Sequence, residues 1–236
     1  MIYLMSDIHG RYDEYKKMLE LIDFKESDTL FVLGDMVDRS PKGMELLLDM
    51  MYRVNVYPIA GNHDLIALAC LKELSKEITE ESIRDLDKET MSMMIDWMNN
   101  LGGQATIDGF HKLVQEDRKA IVEYLGDLEL YEELKVNGTD YVVVHTMGFN
   151  NFAPNKSLEE YSAEDLLDIR CDYGVRYYED KILVTGHTPT IFIEEHQFQN
   201  TIYQGNGHIA MDCGMEQLGC LCLDTGEEYY VETIKE

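Results

Sequence analysis

The chain has 236 residues, 45% of them hydrophobic and 28% charged, which is enough apolar material for a substantial core in one large domain or a domain with an insertion. Its 46 acidic residues outnumber the 20 basic ones, for a formal net charge of -26. So acidic a surface repels polyanions, which disfavours binding to nucleic acid or anionic membrane unless bound metal reverses the field locally.

In chain order, Tyr3 to Met5 reads as a strand followed by Ser6-Asp7-Ile8-His9-Gly10. Tyr12, Tyr15, Met18, Leu19 and Ile22 then recur at helical spacing. Leu30 to Leu33 is a second strand, and it breaks into Gly34-Asp35-Met36-Val37-Asp38-Arg39-Ser40. Ser40 and Pro41 are placed to open a helix as N-cap and first helical residue, and Met44, Leu47, Leu48 and Met51 form its stripe. Val54 to Ala60 is a third strand ending at Gly61-Asn62-His63-Asp64. Residues 1–60 thus read β-α-β-α-β, a pattern that favours a parallel sheet with helices against it.

Residues 65–130 change to helical and acidic character, with little apolar periodicity over 72–89; they read as a helical insertion beside a site, within a single domain spanning 1–236. A packing subdomain is the alternative. Strands return at Tyr141 to Val144, ending at His145, and at Ile182 to Thr185, ending at Gly186-His187. Gly205-Asn206-Gly207 is a hairpin-turn signal, and Ile209 to Met211, Leu218 to Leu223 and Tyr229 to Ile234 complete the strands. Five cysteines without a C-x-x-C pattern predict reduced thiols, with Cys220 and Cys222 on one face of a strand. No basic region with an apolar core and cleavage site occurs, nor any apolar run of membrane-spanning length, so a cytoplasmic location without membrane partners is expected.

Five strand ends therefore deliver Asp7 and His9, Asp35, Asn62 and His63, His145, and His187. Open α/β sheets bind ligands beyond such carboxyl ends. Oxygen and nitrogen donors suit Mn, Fe, Zn or Mg, and two such cations against two carboxylates leave a positive centre that attracts phosphate. Arg39 is suited to clamp it. Singly, a histidine after a strand is more often a structural hydrogen-bonder and Asn62 a turn residue; the repetition in order is what points to a site. His111, His196 and His208 lack that context and read as structural or surface residues.

Asp7-Ile8-His9-Gly10, Gly34-Asp35-Met36-Val37-Asp38-Arg39, Gly61-Asn62-His63-Asp64, His145 and Gly186-His187-Thr188 resemble the ordered motifs of calcineurin-like metallophosphoesterases. More narrowly they resemble PPP-type serine/threonine phosphatases of the bacterial and phage branch, with diadenosine-tetraphosphate hydrolases as near cousins. Trp97, Asn99, Gly102, Gly103 and Thr106 look like a Trp-x-x-Asn-Gly-Gly region of small bacterial members. The resemblance implies a four-layer α/β/β/α sandwich with two mixed sheets. It implies a pair of divalent ions (Mn, with Fe, Zn, Mg or Ni as others), one on Asp7, His9 and Asp35 and one on Asp35, Asn62, His145 and His187. Direct in-line hydrolysis by a water shared between the metals would follow. His63 would be the general acid, Asp38 its orienting carboxylate, and Arg39 and Arg170 the phosphate clamps, with Arg176 competing with Arg170.

Several residues depart from the family pattern: Ser6, Ser40, Asp64 in place of Glu, and Thr146-Met147, where Met147 is expected to reshape access to the second metal. Asp212 reads as a turn residue. The leading expectation is a phosphomonoesterase of the serine/threonine protein phosphatase type acting on phosphoprotein or small phosphoesters. The alternative is a diadenosine-tetraphosphate hydrolase on the same centre, which the few aromatic and many acidic residues of the insertion mildly disfavour. A scaffold that has lost catalysis ranks lower, because His63 and Arg39 are retained, and a nuclease lowest.

Overall fold

Strands that are apolar on both faces must be covered on both, and here this produces two stacked sheets with outer cover on each side. The computed structural model describes residues 1–76 and 87–234. In the first sheet, β1 (Ile2–Met5), β2 (Thr29–Leu33) and β3 (Val56–Ile59) run parallel. In the second, β4 (Tyr131–Val136) pairs antiparallel with β5 (Thr139–Val144), which runs parallel to β6 (Lys181–Thr185). Beyond β6 lie β7 (Tyr203–Gly205) and β8 (His208–Ala210), the latter parallel to β6. The chain then returns to the first sheet with β9 (Gln217–Cys222) antiparallel to β1, and β10 (Glu228–Glu232) at the edge. The strand orders are β10-β9-β1-β2-β3 and β4-β5-β6-β8-β7. These are the two mixed sheets expected.

The period of two along each strand sorts its side chains into layers. Leu4, Phe31, Leu33 and Ile59 meet Val143, Val184 and Ile209 between the sheets. Tyr3, Met5, Leu30 and Val32 face the other way, onto α1 (Tyr12–Leu21) and α2 (Gly43–Met51), through Tyr15, Met18, Met44 and Leu47. Between β3 and β4 lie α3 (Asn62–Leu74), α4 (Lys88–Asn100), α5 (Gly103–Lys112) and α6 (Gln115–Gly126). Residues 77–86, part of both the predicted insertion and its aperiodic stretch, lie outside the described residues. The outer face of the second sheet is covered thinly, by Leu158, Tyr161, Tyr177, Tyr178 and the five-residue α7 (Ala163–Leu167). Among the described residues, no helix is long and apolar enough to cross a membrane. All five cysteines are free thiols, and Cys220 and Cys222 lie buried on the same face of β9 as expected.

Three local expectations shift. Helix α2 starts at Gly43, not Pro41, because Asp38 and Arg39 take left-handed backbone (φ 70° and 66°) and the turn closes with Ser40 N–H on the Asp38 carbonyl, 2.8 Å. Strand β3 starts at Val56, since Val54 sits in a turn and is 90% exposed. Strand β4 was not expected: its glutamates mask an alternation that ends in buried Val136, and only the Asn137-Gly138 turn (φ 50° and 84°) signals the hairpin. The predicted hairpin after Gly205 forms with Asn206 and Gly207 at φ 50° and 69°.

Two stability outcomes follow from this packing. Leu4→Ala, at a fully buried position between the sheets, is expected to cost about 2–5 kcal/mol, read as a lower Tm or denaturation midpoint. His208 is buried against Tyr173, with ring centroids 4.8 Å apart, and burial depresses its pKa to about 3. The unfolded chain binds that proton near pH 6.5 and the folded chain does not. The stability it contributes is therefore complete above pH 6.5 and lost as pH falls toward 3, at no more than about 1.4 kcal/mol per pH unit. His208→Gln should flatten that part of the pH–stability curve, measured by chemical denaturation.

Candidate active site

The carboxyl ends of β1, β2, β5 and β6 and the start of α3 point to one edge of the sandwich. Backbone hydrogen bonds lace the first two loops together: Asp7 N–H to Gly34, His9 N–H to Asp35 and Gly10 N–H to Met36, at 3.1, 2.9 and 2.8 Å. Asp7, His9, Asp35, Asp38, Arg39 and His187 all adopt positive φ, between 48° and 70°. Non-glycine residues take that conformation only where the surroundings hold them in it. Glycine allows the close approach: a Cβ at Gly61 would overlap the Asp35 carboxylate, and one at Gly186 the Asp7 carboxylate.

Asp35 is central. Its Oδ2 lies 3.5 Å from His9 Nε2 and its Oδ1 3.5 Å from His145 Nε2. Donor atoms of His9, Asp35 and His63 lie within 4.8 Å of one another, and so do those of Asp35, His145 and His187. Asn62 belongs to the second group, its Oδ1 being 3.1 Å from His145 Nε2 and 3.2 Å from His187 Nδ1. Asp7 stands outside both triplets; its carboxylate accepts the His187 backbone N–H at 3.1–3.2 Å.

The outer nitrogens of these rings fix their tautomers, because a carbonyl can only accept. His9 Nδ1–H donates to Val37, His145 Nδ1–H to Leu33 and His187 Nε2–H to Asp168, at 2.9, 2.7 and 3.0 Å. The inner nitrogens are then lone pairs, as metal ligation requires. His145 Nε2 and His187 Nδ1 face each other at 3.2 Å, and both face the Asn62 oxygen. Three acceptors converging without a proton between them repel one another unless a cation sits among them. The donor set therefore fits a divalent ion held by nitrogen and oxygen.

Electrostatics agree. Burial pushes His9 down to about 3 and is the leading cause that takes His187 down to about 4, so both are neutral at physiological pH. Burial, then Asp212, then Asp35, hold Asp7 well above the usual carboxylate range. At Asp35 burial acts upward, but at the acid pH where this carboxylate titrates the imidazoles of His145, His9 and His63 around it outweigh burial, and the shift is downward.

Beside the donors stands a dyad. His63 Nδ1 meets Asp38 Oδ2 at 2.7 Å, and His63 Nε2 is 3.2 Å from an Arg39 guanidinium nitrogen and 3.9 Å from Asp35. Burial alone would lower His63, but the Asp38 hydrogen bond and the charges of Asp35 and Asp38 outweigh it and the shift is upward. Asp38 itself is fully buried, accepting from Trp97 Nε1–H at 2.8 Å and from the Thr106 hydroxyl at 2.6 Å. A cavity of ≈ 210 Å³ opens beside Arg39, bounded by Arg11, Tyr12, Asp13, Glu14 and Lys42 among others, and by neither His63 nor the donors around Asp35.

Arg170 is exposed and close enough for its charge to lower His187. Arg176 is instead occupied by the carbonyls of Tyr178 and Glu179 at 2.8 and 3.1 Å, beside Gly207. Met147 corrects an expectation: it is fully buried in the outer cluster with Leu166, Tyr177 and Tyr178, and its sulfur meets the Tyr178 hydroxyl at 3.7 Å instead of facing the donors. Asp64, Trp97, Thr106 and Arg11 were given no role in the sequence reading. Asp64 accepts backbone N–H groups of Asp35, Met36 and Gly61 at 2.8, 3.0 and 2.9 Å, tying β2 to α3. Arg11 is buried and donates to the carbonyls of Asp7, Ile8, Gly214 and Gln217, tying the first loop to the last strands. Asp212 makes the expected turn contact, its Oδ1 accepting from Gly214 N–H at 2.8 Å, but it is also buried within electrostatic reach of Asp7. The Asp-x-x-Asp-Arg spacing and the Trp-x-x-Asn-Gly-Gly stretch were the sequence signals available for the Asp38 clamp.

Comparison with known proteins gives a consistent picture. The family described as calcineurin-like phosphoesterase matches residues 1–190. The symmetrical bis(5'-nucleosyl)-tetraphosphatase of Erwinia tasmaniensis is 32% identical over 127 residues, 52% of this chain and 43% of that protein. Its counterpart in Chromobacterium violaceum is 34% identical over 100 residues, 41% of this chain and 36% of that protein. The matched region thus spans less than half the length of these curated relatives. Among solved structures, one provisionally named a diadenosine tetraphosphatase superposes over 100% of this chain and 94% of its own, with TM-score 0.63 and 16% identity. A serine/threonine phosphatase from Saccharomyces cerevisiae superposes over 100% of this chain and 80% of its own, with TM-score 0.55 and 11% identity. At such identities the likeness is one of fold.

Removal and return of metal tests the donor set. Chelation is expected to lower the Tm, and Mn at 100-fold its Kd to restore about 2.7 kcal/mol. Asp35→Asn, which removes the carboxylate common to both triplets, should abolish that gain in calorimetry.

Proposed function

This chain belongs to the calcineurin-like phosphoesterase family, and on that premise we propose that it hydrolyses dinucleoside polyphosphates, of the diadenosine tetraphosphate kind, at a centre of two divalent ions held by Asp7, His9, Asp35, Asn62, His145 and His187. The observation that carries the chemistry is Asp35 set between His9 on one side and His145, His187 and Asn62 on the other, next to the His63–Asp38 dyad and Arg39. The substrate class draws on the tetraphosphatase relatives. The protein phosphatase reading, preferred on sequence alone, draws on likeness of fold only.

Divalent ions bound there would act as Lewis acids toward phosphate oxygens and make water acidic enough to attack near neutral pH. Arg39, and Arg170 at the edge of the site, hold phosphate oxygens through guanidinium hydrogen bonds. In this structure Arg39 donates to His63 Nε2; with Arg39 turned to a phosphate oxygen, His63, its Nδ1–H held by Asp38, carries a proton on Nε2 for the departing oxygen, and the Asp38 carboxylate stabilises the imidazolium until that proton leaves. The buried glycine-backed loops keep the neutral imidazoles and carboxylates in place before substrate arrives, so no reorganisation accompanies the charge shift.

Rates on diadenosine tetraphosphate, a phosphothreonine peptide and p-nitrophenyl phosphate, measured together in Mn, test this reading. Diadenosine tetraphosphate should be cleaved fastest, with His63→Asn lowering its kcat by about 10²–10⁴-fold. Faster cleavage of the peptide would return the protein phosphatase reading to first place.

A further inference from the structure

We propose that Trp97 and Thr106, carried by the helices between β3 and β4, are positioning residues for proton delivery by His63, acting through Asp38. This rests on the reading of His63 as the proton donor. A fully buried carboxylate needs its charge satisfied by hydrogen bonds, and Asp38 receives one from each of three segments. Oδ2 is shared by His63 Nδ1–H at 2.7 Å and Trp97 Nε1–H at 2.8 Å, while Oδ1 takes the Thr106 hydroxyl at 2.6 Å. The Thr106 oxygen also accepts the Asp38 backbone N–H at 2.9 Å, so one side chain grips both ends of the residue.

The neighbouring backbone is held from the same direction. Arg39 N–H donates to the Gly102 carbonyl at 3.2 Å, and Gly103 packs so tightly on the Trp97 indole that a Cβ there would overlap the ring. Trp97 is fully buried and Thr106 is 1% exposed. These contacts hold Asp38 and Arg39 in left-handed backbone at φ 70° and 66°. Were Trp97 only a core residue, its N–H could point to any acceptor; instead it is aimed at the oxygen that holds His63. With Oδ2 bonded on both sides, the carboxylate cannot rotate. The His63 ring plane, and with it the direction of Nε2, is then determined through Asp38 by side chains that lie 59 and 68 residues beyond that carboxylate in the chain.

The dependence of rate on leaving group separates positioning from mere support of the fold. p-Nitrophenolate departs without a proton, whereas the phenolate of phenyl phosphate leaves readily only when protonated, so a misaligned donor slows the second substrate selectively. The Mn-loaded protein is assayed on both substrates as wild type, Trp97→Phe, Thr106→Val, Thr106→Ser and His63→Asn. Trp97→Phe and Thr106→Val are expected to lose about 10-fold to 100-fold more kcat on phenyl phosphate than on p-nitrophenyl phosphate, with KM little changed. Thr106→Ser, which keeps the hydroxyl, should restore the rate, and His63→Asn should show the same selectivity more strongly. Thermal melts identify any variant that has lost its fold, and isosteric Thr106→Val carries the test should Trp97→Phe unfold. Equal losses on both substrates in Trp97→Phe and Thr106→Val, with His63→Asn still selective, would overturn the proposal alone. A His63→Asn variant that slows both substrates equally would overturn the proton-donor reading and this inference with it.

Discussion

Everything at the carboxyl edge of the sandwich depends on one buried carboxylate, Asp35, placed among three imidazoles. Its backbone N–H is tied to Asp64 at 2.8 Å, and its side chain accepts the His63 backbone N–H at 3.1 Å. With His9 and His145 each 3.5 Å away, it lies between two groups of lone pairs that have no proton between them. Such a cluster is unfavourable in itself. It is held by bonds on its outer side, where Val37, Leu33 and Asp168 carbonyls fix the rings. Folding energy from elsewhere thus holds the donors together, and a divalent cation relieves their mutual repulsion.

The two sheets meet at this point through side-chain to backbone contacts. His145, at the end of β5, donates to Leu33 in β2, and the His187 N–H after β6 reaches the Asp7 carboxylate after β1. Each sheet supplies part of the donor set, so neither alone could bind a metal pair. The helices between β3 and β4 add a third contribution by gripping Asp38 and Arg39 through Trp97, Thr106 and Gly102. That segment is therefore more than cover for the first sheet. In a chain of net charge -26, a divalent ion held by this donor set, together with Arg39, would supply the local positive field that a phosphate needs.

The strand ends, the order of the loops and the residues that meet at them were legible in the sequence. Apolar runs that stop at glycine, and the alternation of Leu4 with Tyr3 and Met5, are short-range signals, and the structure uses them as such. Strand β4 was hidden by its glutamates, although Asn137-Gly138 marked the turn beside it, and the short β7 was announced only by the turn signal at Gly205-Asn206-Gly207. Met147 was misjudged for a different reason. Its neighbour His145 belongs to the site, but the chain turns after β5, and the side chain is drawn into the cluster of Tyr177 and Tyr178.

By itself the sequence determined which residues stand at which strand ends, because strand period, glycine breaks and turn propensity act over a few residues. Only the tertiary structure decided that Asp7 falls outside both close triplets, that Arg170 comes within electrostatic reach of His187 while Arg176 is bonded to the Tyr178 and Glu179 carbonyls, and that Asp64, Trp97 and Thr106 hold the centre. Most of those outcomes depend on hydrogen bonds and charges between segments far apart in the chain, up to 180 residues, whose geometry exists only once both sheets and the helices between them have packed.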